Sequence, residues 1–341
     1  MKSKKFSDQI LNSFIKKGFK FSEAEILLDT DYIVQRSGES FRKNLLTFED
    51  ENGKSICLRP DLTIAFCLKY LNERKEKLSK ICYQGRSFQK IGEIITKQAG
   101  IEIIGSRNNL RDDELIIKTI IDTLEKLNVK NIKINIGDIG LFNSFIDALN
   151  LPGRWKLRLK RHFWRPVYFE ELLKRLETNS DVDVITVDLD KKRYNEMKSL
   201  SGEDKIAKRK ISEILERFDK KIKDPRPITQ GKKIVKKIRE FLKINCSLKN
   251  LENEILNFNK KNKLNIEINS NLIRLKKFPK YKINFNSNFG RNIEYYTGFV
   301  FEVLKNNKQL AAGGRYDNLL KSLGSKKSIS AVGAAINLKN L

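Results

Sequence analysis

The stretch Ala311-Ala312-Gly313-Gly314-Arg315-Tyr316-Asp317-Asn318-Leu319-Leu320 sets two adjacent glycines before an Arg-Tyr-Asp triplet. Glycine has no Cβ, so the pair lets the backbone bend sharply or approach another group closely. The segment reads as a glycine-rich turn, and it gains meaning from its neighbours. Upstream, KINFNSN (282–288) and YYTGFVFEVL (295–304) have the character of short strands, and downstream SAVGAAINL (330–338) reads as another.

Toward the N-terminus the same mixture appears. Ile10, Phe14 and Phe19 suggest a short amphipathic helix, and residues 54–58 (KSICL), 80–83 (KICY) and 101–104 read as short buried strands. Asp112 and Asp113 supply an acidic first turn to a helix on which Leu115, Ile116, Ile120, Leu124 and Leu127 recur at helical spacing. Ile132, Ile134 and Ile136 then alternate with Lys133 and Asn135 as a half-buried strand. Between residues 151 and 255 the pattern becomes helical and charge-rich, and this region reads as an insertion into a body made of 1–150 and 256–341. The outline is α+β, with an antiparallel sheet built from both chain ends.

Composition narrows the chemistry. The chain has 341 residues, 40% hydrophobic and 9% aromatic, enough for a sizeable core. Lys and Arg number 69 against 42 Asp and Glu, a formal charge of +27. Such an excess attracts nucleic acid or anionic membranes, but only 20 of the 69 are Arg, and spread-out lysines fit compositional drift equally well. The basic, aromatic stretch LPGRWKLRLKRHFWRPVY (151–168) holds both tryptophans and the only histidine, His162. It reads either as an RNA contact or as a helix burying Trp155, Phe163 and Trp164, and without a periodic RNA-binding signature the second is favoured. Cys57, Cys67, Cys82 and Cys246 form no C-x-x-C, so no zinc site is expected, and His162 reads as structural. No apolar run approaches the length of a membrane span, and a soluble cytoplasmic chain is expected.

Three further segments join polar residues to a strand or bend. LRPDLT (58–63) runs a strand into a proline-fixed bend that presents Asp61 and Thr63. In QAGIE (98–102) the period of two puts Gln98, Gly100 and Glu102 on one face, with Gly100 leaving room for a ligand. RNIEYYTG (291–298) carries Arg291, Tyr295 and Tyr296.

In this order and at these separations the four segments resemble the core of the histidyl-tRNA synthetases and of their paralogue family, the regulatory subunits of ATP phosphoribosyltransferase. The resemblance covers about residues 1–145 and 280–341. It implies a class II aminoacyl-tRNA synthetase-like fold, an antiparallel six-stranded sheet flanked by helices, that normally dimerises. The family's first-motif proline, due near Ala24 or Glu25, is absent, which weakens the case for the dimer contact more than for the pocket.

Departures separate the two branches. In the synthetases an arginine follows the Phe of the second motif; YQGRSFQK places Gln89 there, and Arg86 is three residues away, on the opposite face of a strand. Only KIGEIITK separates Gln89 from Gln98, so the phosphate loop is short and lacks arginine. In the closing helix of the third motif Asn340 stands where an arginine is usual, with Lys339 about 100° away on that helix. Gln89 and Asn340 thus mark a degenerate ATP site, since neither can neutralise charge developing at a phosphate. Leu62 in LRPDLT, and a chain that stops at Leu341 where a synthetase would continue into an anticodon-binding domain, lean the same way.

The amino-acid side persists. By resemblance, Asp61 and Gln98 would receive the α-amino group of histidine and Glu102 with Tyr295 or Tyr296 its imidazole, while Thr63 would support Asp61 and Arg291 would face the carboxylate. The resemblance therefore implies a regulatory subunit with no catalytic residue, metal or cofactor of its own. It would assemble with the short catalytic subunit of ATP phosphoribosyltransferase, as a homodimer within that complex, and L-histidine would be its effector. A divergent synthetase lacking its anticodon domain, or a basic RNA-binding module on the same fold, are the alternatives; neither membrane nor nucleic acid is the expected partner.

Overall fold

Strand periodicity extends well beyond the short segments visible in the sequence. The computed structural model describes residues 2–37, 42–73, 77–178, 184–199, 205–206, 209–222, 230–268, 272, 275, 281–290 and 295–341. The strands are β1 (Lys20–Phe21), β2 (Leu27–Asp29), β3 (Thr47–Glu49), β4 (Ser55–Leu58), β5 (Ser79–Phe88), β6 (Ile95–Ile104) and β7 (Lys133–Asp138). They continue as β8 (Lys205–Ile206), β9 (Arg209–Lys210), β10 (Asn245–Ser247), β11 (Ile283–Asn286), β12 (Phe299–Lys305), β13 (Lys308–Arg315) and β14 (Ala331–Asn337). The helices used below are α1 (Lys2–Ile15), α2 (Leu62–Asn72), α3 (Asn109–Lys126), α4 (Gly153–His162) and α5 (Pro166–Thr178).

The chain divides into two compact units, one of Met1–Leu141, Asn245–Glu254 and Ile268–Leu341, the other of Phe142–Ile244 and Ile255–Glu267. The first contains a nine-stranded sheet in the order β1-β5-β6-β14-β13-β12-β7-β11-β10. Its inner six strands, β5 to β7 in that order, pair antiparallel throughout. The expectation of six antiparallel strands therefore describes the centre of the sheet and needs correcting at its edges. There β1 pairs parallel with β5, β11 pairs parallel with β7, and β10 adds antiparallel to β11. These edge strands have two to four residues, too short to stand out as patterns.

One face of this sheet is aliphatic. Ala99, Ile101 and Ile103 of β6 and Val332, Ala334 and Ile336 of β14 are buried there, where α1 lies against β5 through Ser7 and Gln84. Ser13 of α1 and Thr123 of α3 meet at 2.9 Å, which ties the two helices together. Ile10 and Phe14 fill the inner side of α1; Phe19 is buried as well, but beyond the end of the helix.

The opposite face explains the paired glycines. Gly313 and Gly314 lie inside β13 rather than in a turn, which corrects the sequence reading. A Cβ on Gly314 would sit 2.6 Å from the Phe299 carbonyl oxygen and 3.0 Å from the Tyr296 ring, so glycine is required by close packing, not by a bend. The turn is instead Asn306-Asn307, both at positive φ (50° and 61°), as a tight β12–β13 hairpin demands.

The second unit is helical and built on aromatics. Phe142 stacks on Phe163 at 3.7 Å between ring centroids and Phe145 on Phe241 at 4.2 Å, with Phe169 and Phe258 edge-on to them. Trp155 and Phe163 are buried in this core, as the favoured reading of the 151–168 stretch expects, whereas Trp164 is only half-buried, with the Arg165 guanidinium over its ring at 4.3 Å. His162 lies edge-on to Tyr168 at 4.6 Å, and burial together with the neighbouring arginines lowers its pKa, as befits a structural residue. All four cysteines are free, and Cys57, Cys67 and Cys82 are buried. Among the described residues no helix is long and apolar enough to cross a membrane.

Candidate functional site

The site is laid out by strand register. Glu102 of β6 pairs with Gly333 of β14, Gly333 with Gly314 of β13, and Gly314 with Val300 of β12, so one row of the sheet presents a carboxylate beside two glycines. A Cβ on Gly333 would overlap the Glu102 carboxylate, which leans over the β14 backbone because no side chain is there. Next along β6, Gly100 faces the Tyr83 ring of β5. The space expected for a ligand above Gly100 is thus taken by this tyrosine.

From the edge of this floor comes the LRPDLT bend. Asp61 caps the N-terminus of α2, accepting from the Ile64 amide at 3.1 Å. Arg59, 7% exposed, anchors the bend by donating to the carbonyls of Ala24 (2.6 Å) and Arg86 (2.8 Å). Thr63 donates to Glu102 Oε1 at 2.8 Å and also contributes to holding down the pKa of Asp61.

Glu102 is 1% exposed and receives three hydroxyls: Thr63 and Tyr83 (3.0 Å) on Oε1, Tyr316 on Oε2. Burial pushes its pKa up to about 7, the hydroxyls of Tyr316, Thr63 and Tyr83 oppose that rise, and the charge of Asp61 adds to it. Asp61 is raised too, mainly by burial, against its bonds from the Ile64 and Thr63 amides and the Tyr295 hydroxyl. Tyr295 reaches Asp61 Oδ2 at 3.3 Å and lies edge-on to Tyr296 and Tyr316, at 4.9 and 6.0 Å between centroids. Burial drives Tyr83, Tyr295, Tyr296 and Tyr316 above the ordinary phenol range, so all four remain hydroxyl donors at neutral pH. Two desolvated carboxyls among phenols suit a small ligand that brings positive charge and N–H donors.

Asp61, Thr63, Glu102, Tyr295 and Tyr296 are therefore brought together. Gln98, two residues from Gly100 on the same strand face, bonds Ser87 at 3.1 Å. Arg291 lies outside the described residues. Sequence reasoning missed Tyr83 and Tyr316, the two phenols on Glu102. Tyr316 stood within a quoted segment, whereas Tyr83 is placed only by the pairing of β5 with β6. Missed also was the buried anchor behind Tyr316, in which Arg315 donates to Asp113 and, at 2.9 Å, to Asp317 and Ser330.

Of the two positions expected to mark a degenerate ATP site, Gln89 donates to the Pro60 carbonyl at 3.3 Å and Asn340 to the Gln309 carbonyl at 2.7 Å. Leu338 and Lys339 turn directly after β14, with the Asn340 N–H on the Asn337 carbonyl, so no closing helix follows and Lys339 and Asn340 are not set 100° apart on one. Lys339 is instead bridged to Glu93 at 2.8 Å. Arg86 lines a cleft of about 420 Å³ with Ser7, Leu11 and Phe21, on the α1 face of the sheet.

Known proteins share this fold. The chain is 27% identical over 348 residues to the ATP phosphoribosyltransferase regulatory subunit of Mesorhizobium japonicum, covering 94% of this chain and 91% of that one. It is 27% identical over 364 residues to the namesake from Allorhizobium ampelinum, covering 98% and 96%. Among solved structures, an ATP phosphoribosyltransferase regulatory subunit/histidyl-tRNA synthetase from Bacillus halodurans superposes with a TM-score of 0.63 at 19% identity, over 99% of this chain and 77% of that one. A histidyl-tRNA synthetase from a Nostoc species gives 0.64 at 15% identity, over 99% and 70%. These two likenesses establish the class II synthetase-like fold. The histidyl-tRNA synthetase family model matches residues 2–167 and 165–341, essentially end to end, and the chain belongs to that family.

Proposed function

We propose that this chain is the regulatory subunit of an ATP phosphoribosyltransferase, without catalysis of its own, that supports a short catalytic subunit and transmits feedback by histidine in the first step of histidine biosynthesis. One contrast carries the reading. The carboxyl and hydroxyl groups suited to an amino acid form a connected, buried set, while the positions that should meet ATP carry Gln89 and Asn340, both occupied by backbone carbonyls. An amide can bond a phosphate oxygen but cannot offset charge developing on it. The regulatory-subunit names of the full-length relatives support the same branch.

In this reading Asp61 and Gln98 receive the α-amino group, Glu102 and a tyrosine of the 295–296 pair the imidazole, and Arg291 the carboxylate. The chain works in the cytoplasm, as a homodimer within the hetero-oligomer. Feedback requires that histidine bind unequally to two states of that complex. Affinity should lie in the range of ~1 μM to several hundred μM, ordinary for a small ligand.

Two measurements test it. The purified chain should give no ATP–pyrophosphate exchange with histidine; clear exchange would establish a synthetase instead. Co-purified with the organism's short catalytic subunit, it should raise phosphoribosyl transfer and confer inhibition by histidine.

A further inference from the structure

Arg86 of β5 has no part in the site above. Its neighbour Gly85 faces α2, since a Cβ there would meet the Arg59 guanidinium and Leu62. Strand alternation therefore turns Arg86 to the other face, the one on which Gln84 bonds Ser7 of α1. Directly opposite Arg86 in the β5–β6 register stands Lys97. Residues so paired share a face, with Cβ atoms about 5 Å apart, and like charges in that arrangement repel. Nothing in the described chain relieves the repulsion: both side chains are exposed, and among the described residues neither has an ion-pair or hydrogen-bond partner.

The two cations open into a formed space. With Gln84 they line the cleft of about 420 Å³ on the α1 face, a volume in the range of small-molecule sites. The Ser7 hydroxyl donates to Gln84 Oε1, which leaves the Gln84 amide nitrogen as a further donor. A guanidinium, an ammonium and an amide thus border one cavity. A carboxylate would meet them with two oxygens and one charge. A phosphate monoester brings three oxygens and about two charges, and it is the better match to three donors and two cations.

The remaining lining describes the body of the ligand. Leu11, Phe21 and Leu338 supply apolar surface, and Phe21 is 49% exposed although it belongs to a strand of the central sheet. An aromatic side chain left open in a cleft offers its face to a flat ring. Glu23, the one acid in the lining, can accept only from hydroxyl or amino groups, and against two cations it leaves the cleft net positive. All of these residues lie in the first unit.

We propose that the cleft between α1 and the β5–β6 hairpin binds a small phosphate monoester carrying a flat ring, of nucleoside-monophosphate size, with Arg86 and Lys97 on the phosphate and Phe21 against the ring.

Calorimetry on the full chain tests this with adenosine 5′-monophosphate, adenosine and inorganic phosphate as probes. The monophosphate should occupy one site per chain, and each fragment should bind at least about tenfold more weakly. Arg86→Gln and Lys97→Gln should each weaken the monophosphate at least about tenfold, the loss expected when a charged hydrogen-bond partner is neutralised. Because each also removes a repulsion, their urea midpoints should be no lower than the parent's, which verifies the fold. Arg86→Lys, which keeps the charge but loses the planar fork, should fall between, and Phe21→Ala should weaken adenosine and the monophosphate alike. Gln89→Ala, on the opposite face, should leave binding unchanged. The proposal is overturned if the parent binds no monophosphate, if adenosine binds equally well, or if binding survives both charge substitutions. Loss of binding in Gln89→Ala, with both charge variants still binding, would put the nucleotide on the other face and overturn it too. The function proposed above is tested by other assays and stands apart from these outcomes.

Discussion

Replacing Glu102 by glutamine separates a carboxylate kept for binding from one kept for folding. The side chain is 1% exposed and its pKa is pushed from the ordinary value of 4.5 up to about 7, chiefly by burial. The folded chain therefore holds this proton over a pH range in which the unfolded chain has released it. The associated stability is fully present below about pH 4.5 and is lost as pH rises through about 7. At about 1.4 kcal/mol per pH unit, the loss approaches about 3 kcal/mol at pH 8. Glutamine is close to a copy of the protonated acid: its carbonyl still accepts from Thr63 and Tyr83, and its amide faces the Tyr316 hydroxyl, which can turn to accept. Glu102→Gln should match the parent in urea unfolding at pH 5 and exceed it progressively toward pH 8. A residual slope of the same sign should persist from Asp61 and from buried Asp138, whose pKa burial raises to about 6. Both tryptophans, Trp155 and Trp164, lie in the second unit, so far-ultraviolet circular dichroism is the suitable probe. Histidine affinity should meanwhile fall about 10- to 100-fold, the loss expected when a charged hydrogen-bond partner is neutralised. A variant less stable than the parent at pH 8 would show that the carboxylate is a structural acceptor and refute the binding argument.

Gly333→Ala should reproduce the binding defect by another route: the new methyl group displaces the Glu102 carboxylate, costing about 1–3 kcal/mol of stability together with histidine binding in calorimetry. Asp113→Ala leaves the buried Arg315 guanidinium short of its main partner, and urea unfolding should report a loss of about 3–5 kcal/mol. Thiol titration of the native chain should label Cys246 first and slowly, with Cys57, Cys67 and Cys82 reacting only after denaturation. Rapid labelling of four native thiols would contradict the packing around Cys67 and Cys82.

What was legible in the sequence follows from how far each inference reaches along the chain. The common face of Gln98, Gly100 and Glu102 needs only the period of one strand, and the Asp61 bend only the chemistry of proline. Placing Tyr83 above Gly100 needs the β5–β6 register, and placing Gly333 beneath Glu102 needs β14 beside β6, a pairing across more than two hundred residues that no local pattern encodes. The same gap explains the misreading of Gly313-Gly314. Viewed locally, two glycines favour a turn; in the sheet they are tolerated at the centre because β12 and β14 supply backbone partners on both sides. Their cost in strand propensity has a functional correlate, since the row through Gly314 and Gly333 is where the sheet gives up side chains so that Glu102 and the tyrosines can lie flat on it. In this fold a glycine run within the motif order is thus evidence for a paved site floor as much as for a bend. The dependence runs one way: the Glu102 carboxylate can keep its place only while position 333 is glycine, because any Cβ there overlaps it.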